Sequence, residues 1–340
     1  MYKQSFFPAM ALAAGLLAAL APRPALAAEV DEIHIAKQYG ISYLPLMLME
    51  DQKLVEKHAK ALGQPGLKVQ WSTFAGGNVM NDALLSGSLE FASGGVGPFL
   101  TLWAKTRGNY NVQGVTAMNS MPLYLVSSNP KVKTIKDLAA GDKIALPAVK
   151  VSIQAVTLQM AAEQAFGAGE QYKLDSMTVT MSHPDGQAAL LSGGSEVTGH
   201  FTSPPFQYSE LKDPRVHLVL SSYDVLGGAS TFNVVWSTAK FRNENPKTYQ
   251  AFVTAFNEAI KQINDNKQAA AEAYLRISGD KRSTVADIME MMNDPKIIFT
   301  TTPQNVMKYA DFMQKIGSIK VKPASWKELF FPNMHSQSGS

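Results

Sequence analysis

Hydrophobic and polar positions switch between two periods along most of this chain. Residues 33–36 alternate after an acidic start, which predicts a short strand. From 45 to 62, Leu46, Met49, Val55, Ala59 and Leu62 recur at helical spacing, and a Gly63-to-Gly66 segment closes that helix. Strands follow at 67–74, 89–93 and 112–118, separated by helices at 79–86 and 99–106. The rhythm restarts with strands at 123–127, 143–146, 177–181, 195–200 and 216–222. Helices are expected between them at 134–138, 152–166, 185–191 and 204–211, with Ser152 as an N-cap and a proline at the start of the last. The final third has one strand, 231–236, and then helices at 247–264, 267–278, 284–292 and 303–316, with a turn at 326–329.

Such alternation argues for α/β architecture with largely parallel sheets covered by helices. The economical layout is two α/β lobes, with the first interrupted by the second and then completed. Residues 28–120 and 224–332 form lobe 1, and residues 121–223 form lobe 2. The crossing strands lie near 119–125 and 219–226, and residues 333–340 are expected to be a flexible tail. A plain tandem of two domains is the alternative that the pattern leaves open.

The first residues change the picture of where the protein works. Lys3 precedes Phe6 and Phe7 and an Ala, Leu and Gly run that ends near Ala21; Pro22, Arg23 and Pro24 then lead to Ala25-Leu26-Ala27-Ala28. A basic start, an apolar middle and a small-residue exit make residues 1–27 a signal peptide, with cleavage expected after Ala27. The run falls short of the about 20 apolar residues of a membrane span, and an uncleaved anchor is the alternative. The expected location is therefore the periplasm, as a soluble monomer.

Composition narrows the function classes. The chain has no cysteine, which excludes disulfides and thiolate chemistry. Taking Lys3 and Arg23 from the 31 Lys and Arg leaves 29 against 28 acidic residues, a near-neutral balance that gives no case for nucleic acid. No HExxH, GxSxG or GxxxxGK[ST] motif occurs, and the six histidines have no compact metal-ligand spacing. Asp185 and His200 could be imagined as an acid and base pair, but a capping Asp and a partly buried His explain them as well. No cofactor or metal is expected.

Binding loops fit better, because parallel α/β lobes hold ligands beyond the carboxyl ends of their strands. Four strand-to-helix junctions are rich in Gly, Ser, Asn and Gln: Gln38-Tyr39-Gly40, Phe74 to Asn78 with Gly76 and Gly77, Ser93-Gly94-Gly95, and Pro147 to Gln154 with Ser152 and Ile153. Glycines let backbone approach a ligand, and free N–H groups at helix starts suit an anion. Tyr39, Tyr43, Phe74, Phe201, Phe206 and Tyr223 could clamp a planar body, with the three tyrosines ranked above Phe206, or could pack the lobes together. Lys150 is either an anion contact or a solvated loop residue.

In order along the chain, Trp71 to Gly77, Ala83-Leu84, Ser86 to Phe91, Thr134 to Leu138 and Pro184-Asp185 resemble a family. It is that of the periplasmic binding proteins of nitrate, sulfonate and taurine ABC importers, which also share their fold with thiamine-pyrimidine precursor binding proteins. The resemblance implies a periplasmic binding protein-like II clamshell, two lobes joined by a two-strand hinge, with a discontinuous first lobe. It also implies a small-molecule ligand and ABC permease subunits as partners. Carried over by position, the cleft residues fall at Tyr39, Gly76, Gly77, Asn78, Ser93, Gly94, Gly95, Ser152, Ile153, Gln154 and a 223–230 segment containing Tyr223, Gly228 and Ser230. The segment from Gly199 to Phe206 departs from the family pattern. With His200, Phe201 and Pro204 in the cleft, it implies a ligand larger than nitrate or taurine. The function so implied is capture of a small organic anion. The alternatives are a neutral heterocycle or, in a different class, an exported enzyme on the same fold.

Overall fold

Helix and strand alternate as the pattern requires, in a computed structural model that describes residues 1–3 and 28–340. Most of the expected signal peptide, residues 4–27, lies outside the described residues. The strands are β1 (Glu32–Lys37), β2 (Lys68–Thr73), β3 (Ala92–Gly95), β4 (Gln113–Ala117), β5 (Asn119–Ser120), β6 (Tyr124–Ser127), β7 (Ile144–Leu146), β8 (Thr178–Thr180), β9 (Gly199–Thr202), β10 (His217–Ser221), β11 (Asn233–Ser237) and β12 (Ile298–Phe299). The helices are α1 (Leu44–Asp51), α2 (Leu54–Ala61), α3 (Gly77–Leu85), α4 (Val96–Lys105), α5 (Ile153–Phe166), α6 (His183–Ser192), α7 (Phe206–Glu210), α8 (Ser222–Leu226), α9 (Ala239–Glu244), α10 (Pro246–Asp265), α11 (Lys267–Ser278), α12 (Val285–Asn293), α13 (Val306–Lys315) and α14 (Trp326–Leu329).

These elements form two α/β lobes. In the first, β1 and β2 pair in parallel, a bridge from Ile35 to Phe91 leads towards β3, and β11 lies between β3 and β4. β11 runs antiparallel to both neighbours, so this sheet is less parallel than the pattern predicts. The reason is topological: β11 belongs to the chain returning from the other lobe. The second lobe holds a five-stranded sheet in the order β10-β6-β9-β7-β8. The two connections run side by side, with Ser120 bridging Thr231 and the Phe232 amide donating to the Asn119 carbonyl (3.1 Å).

Local chemistry explains several departures from the expected elements. The helix expected over 45–62 is two, because Lys53 takes a left-handed backbone (φ 51°) between α1 and α2. The crossing strand expected near 219–226 ends at Ser221, whose side chain caps α8 by accepting from the Tyr223 amide (3.3 Å). The last residues do not form a loose tail. The Ser340 amide donates to the Pro303 carbonyl (3.0 Å), the Val306 amide donates to the Ser340 carbonyl (2.9 Å), and Thr302 pairs with Gln337 (2.9 Å).

The long helix α10 anchors the first lobe. Its Ala251, Phe252, Ala255, Phe256, Ala259 and Ile263 are buried at helical spacing, and Phe252 stacks on Phe91 with ring centroids 3.9 Å apart. Replacing Phe252 with Ala should therefore cost roughly 3–5 kcal/mol of unfolding free energy. Denaturant titration checks this, and a loss below about 1 kcal/mol would show that the stack carries little of the fold.

Candidate ligand-binding cleft

The first lobe meets the second along its strand-to-helix loops, where glycines let the backbone come close. Gly40 has φ +104°, and a Cβ placed there would lie 2.9 Å from the Pro204 carbonyl oxygen. A Cβ on Gly95 would lie 2.5 Å from Ile153 Cγ2, and one on Gly97 would lie 3.0 Å from the Val151 carbonyl oxygen. Gly76 and Gly77 start α3, which has no side-chain cap; Gly76 faces the Pro147 carbonyl oxygen (3.2 Å from an ideal Cβ). Gln38 reaches across the first lobe's own loops, its Nε2 donating to the Ser93 carbonyl (3.1 Å). Asn233 Nδ2 donates to the Tyr43 hydroxyl (2.9 Å), which is buried and whose ionisation is pushed upward by that burial.

The second lobe contributes the starts of α5 and α6. Ser152 caps α5 by accepting from the Ala155 amide (3.2 Å), as the sequence predicts, and leaves the first N–H groups of the helix uncapped by side chains. Ser182 caps α6 in the same way through the Asp185 amide. Behind these starts lies a file of buried side chains. Gln154 Nε2 is 3.2 Å from His183 Nε2, His183 Nδ1 is 3.0 Å from His200 Nε2, and His200 Nδ1 is 2.7 Å from Glu210 Oε1. His200 and Glu210 are fully buried. Desolvation lowers His200 to about 3 and drives Glu210 well above the carboxylate range, against the pull of Arg282. His183 is also lowered well below the usual histidine range, by burial and by His200. Burial therefore favours a hydrogen bond between neutral groups over an ion pair at the His200–Glu210 contact.

Two cavities lie among these loops, with Gln38 in the wall of both. A small inner chamber of about 20 Å³ is lined by Gln38, Tyr43, Gly77, Gly95, Pro98, Pro147, Ser152, Ile153, Gln154, His183 and Phe232. None of these carries a full charge in its buried state. Next to it, an outer groove of about 750 Å³ opens between the lobes. Its walls include Gln38, Tyr39, Pro184, Gln187, Phe206, Arg276 and Arg282, with Arg282 Nη1 donating to Gln187 Oε1 across the groove (2.8 Å). Lys37 pairs with Glu50 there, and Arg276 grips Asp51 through two contacts (2.7 and 2.8 Å). Among the described residues, no three His, Asp or Glu side chains gather as a metal site. Among those residues too, no helix is long and apolar enough to cross a membrane.

The sequence-predicted residues divide clearly. Tyr43, Gly77, Gly95, Ser152, Ile153 and Gln154 line the inner chamber, and Tyr39 and Phe206 line the groove. Gly76 and Gly94 support it as backbone; a Cβ on Gly94 would lie 2.9 Å from Gln38 Nε2. Pro204 backs the Gly40 turn, and Ser93 donates to the Ala36 carbonyl (2.6 Å) rather than to the cavity. Phe74 packs against the core, Asn78 is exposed beside its own turn, and Asp185 is an exposed capping residue. His200 does not line either cavity. It sits on β9 beneath α6, where Gly186 makes room for it: a Cβ there would be 2.8 Å from His200 Nε2. Phe201, on the other face of β9, is core. Tyr223, Gly228 and Ser230 lie at the second connection, where Tyr223 donates to the Lys296 carbonyl (3.2 Å), and they line neither cavity. Lys150 faces a separate inter-lobe recess with Lys105 and Asp175. Sequence reasoning missed His183, Gln187 and Arg282. The polar run Ser182-His183-Pro184 before a helical pattern was the signal for the first.

Two predictions follow from this geometry. The Gly95→Ala change keeps an allowed backbone but inserts a methyl group into Ile153. The radius of gyration by small-angle scattering should rise, with the Ile153→Ala partner change restoring it; equal values for wild type and Gly95→Ala would contradict the contact. Acid titration gives the second. Between pH 6.5 and 4.5 the unfolded chain binds protons on His183 and His200 that the folded chain refuses, while folded Glu210 keeps a proton that the unfolded chain releases. From these groups stability should fall on acidification, and fall more steeply in Glu210→Gln, which removes the opposing contribution. Denaturant curves at pH 6.5 and 4.5 test this, and equal slopes for the two proteins would rule it out.

The fold recurs in solved structures. The alkanesulfonate-binding protein of Xanthomonas axonopodis pv. citri bound to MOPS aligns with TM-score 0.67 and 18% identity, over 87% of this chain and 96% of that one. The periplasmic aliphatic sulphonate binding protein of Escherichia coli aligns with TM-score 0.64 and 18% identity, over 91% and 100%. The periplasmic nitrate-binding protein of Synechocystis PCC 6803 aligns with TM-score 0.65 and 14% identity, over 88% and 84%. At these identities the likeness is one of fold. No curated protein matches the chain in sequence. The NMT1-like family matches residues 27–278, most of the chain, and this protein belongs to that family.

Proposed function

We propose that this protein is the periplasmic solute-binding component of an ABC importer, and that it carries a small organic anion between its lobes to a permease. One observation carries the reading. The starts of four helices, α3 at Gly77, α4 at Gly95, α5 at Ser152 and α6 at His183, converge from both lobes on one inner chamber without a carboxylate in its lining. Helix starts offer unsatisfied N–H groups and the positive end of the helix dipole, so they favour negative charge without needing a full cation.

Size adds to the reading. With the lobes touching, the inner chamber of about 20 Å³ admits a few atoms at most. The adjoining groove of about 750 Å³, with Tyr39 and Phe206 on its walls, suits an organic body attached to an anionic head. Admission of such a ligand requires the lobes to part about the paired connections at Ser120 and Thr231, and its binding then favours the closed arrangement. The sulfonate- and nitrate-binding relatives support the solute class. The chamber offers binding groups and no acid–base pair in contact with it, which supports a carrier over an enzyme.

Native mass spectrometry of gently purified protein, followed by denaturation, tests the reading. The expected result is one equivalent of a released organic anion. A released neutral heterocycle would contradict it. Protein free of ligand should gain several degrees of melting temperature from at least one of methanesulfonate, taurine or benzoate, because binding to the native state alone stabilises it. No gain from any of these or from a wider set of organic anions would also contradict it.

A further inference from the structure

The buried file behind α6 joins Gln154, His183, His200 and Glu210 through the second lobe. It contains three titratable side chains in a row, and one end reaches the inner chamber. Hydrogen-bond directions along such a file are coupled. Each neutral imidazole donates from one nitrogen and accepts at the other, so fixing one end fixes every link.

The closed end fixes the direction. Glu210 Oε2 is buried and has no hydrogen-bond partner. The groups facing Glu210 and the histidines are few: His200 contacts Glu210 Oε1, and Arg282, from the other lobe, is engaged with Gln187 Oε1 (2.8 Å) instead. An ionised carboxylate with one bare oxygen in such a place is costly, whereas a neutral acid leaves only a carbonyl unpaired. Burial acts in the same direction on all three groups, favouring the neutral form of Glu210, His200 and His183. In the neutral file, Glu210 donates from Oε1 to His200 Nδ1 (2.7 Å). His200 then donates from Nε2 to His183 Nδ1 (3.0 Å), and the His183 proton is left on Nε2. His183 Nε2 lies 3.2 Å from Gln154 Nε2 at the chamber; with the proton on His183 Nε2, the Gln154 amide is assigned the other way round, its oxygen accepting from His183.

We propose that a protonated Glu210, acting through His200, sets His183 as an Nε2–H donor that a ligand acceptor takes over from the Gln154 oxygen, so that this position of the chamber selects hydrogen-bond acceptors such as the oxygens of a sulfonate or carboxylate. This rests on the carrier reading above and sharpens it. The opposite polarity, with Glu210 ionised, would run every bond the other way. His183 Nε2 would then be an acceptor, facing the Gln154 amide nitrogen, and would select a ligand donor such as a heterocycle N–H. Glu210 and His200 are positioning residues, because neither touches the chamber.

The test reads the tautomer directly and needs no ligand. Nitrogen-15 spectra of histidine-labelled wild-type protein at pH 7.5 should show His183 and His200 as neutral Nε2–H tautomers. Glu210→Gln, whose amide donates to His200 Nδ1 as the acid does, should keep both. His183 as the Nδ1–H tautomer, or either ring as an imidazolium, would overturn the proposal. A second measurement reads selection. In titrations with methanesulfonate, benzoate and 4-aminopyrimidine, His183→Phe should weaken anion binding at least tenfold and leave the pyrimidine unaffected. Equal effects on both classes would overturn the selection. If the tautomer is as expected and no anion binds even the wild type, it is the carrier reading that fails, and the donor assignment stands.

Discussion

Close contact between two lobes through side-chain-free backbone is the constraint on which the cleft depends. At Gly40 and Gly95 the first lobe approaches Pro204 and Ile153 within distances that a Cβ would not tolerate without a shift, and at Gly97 it approaches Val151 almost as closely. Chambers built this way are small and defined by backbone. Backbone N–H groups and uncharged polar side chains such as Gln38, Ser152, Gln154 and His183 then become the available binding groups. The same constraint places the helix starts of α3, α4, α5 and α6 around a common point, because each follows a strand of its own lobe at the edge that meets the other lobe.

The returning strand β11 makes that contact adjustable. It pairs with β3 and β4, so the first lobe is complete only when the chain has come back from the second. Two adjacent connections result, and they hold the lobes in register while leaving rotation about one narrow line. Polar cross-lobe contacts such as Tyr208 to Asp294 (2.9 Å) and Lys212 to Asp287 (2.5 Å) lie on the closing faces. Pairs of this kind are worth little individually, so the closed arrangement is poised rather than locked.

Much of this was legible in the residues. Period and punctuation located most of the longer helices and strands but not the short β5, β12, α8 and α9, and the glycine-rich junctions lie around the chamber. What was not legible has physical causes. Periodicity cannot tell which of two histidines on neighbouring elements faces a cavity, so His200 was expected in the cleft where His183 stands. Gly186 is the residue that decides it, by opening space under α6, and its effect depends on packing between distant segments. The break at Lys53 is a left-handed residue that no pattern demands. The C-terminal segment looked solvated because its composition is polar, yet its backbone finds partners at Pro303 and Val306. Arg282 and Gln187 meet only because the third segment of the chain folds back over the second lobe.

The most direct measurement is the location of a bound anion. Anomalous diffraction from crystals grown with 2-bromoethanesulfonate would mark the position of the halogen, and the density around it the position of the sulfonate. The account predicts the sulfonate between the starts of α3, α5 and α6, within hydrogen-bond distance of His183 Nε2, and the bromine towards the Tyr39 and Phe206 walls. A sulfonate bound only in the outer groove or on the surface, with the inner chamber unchanged, would contradict it.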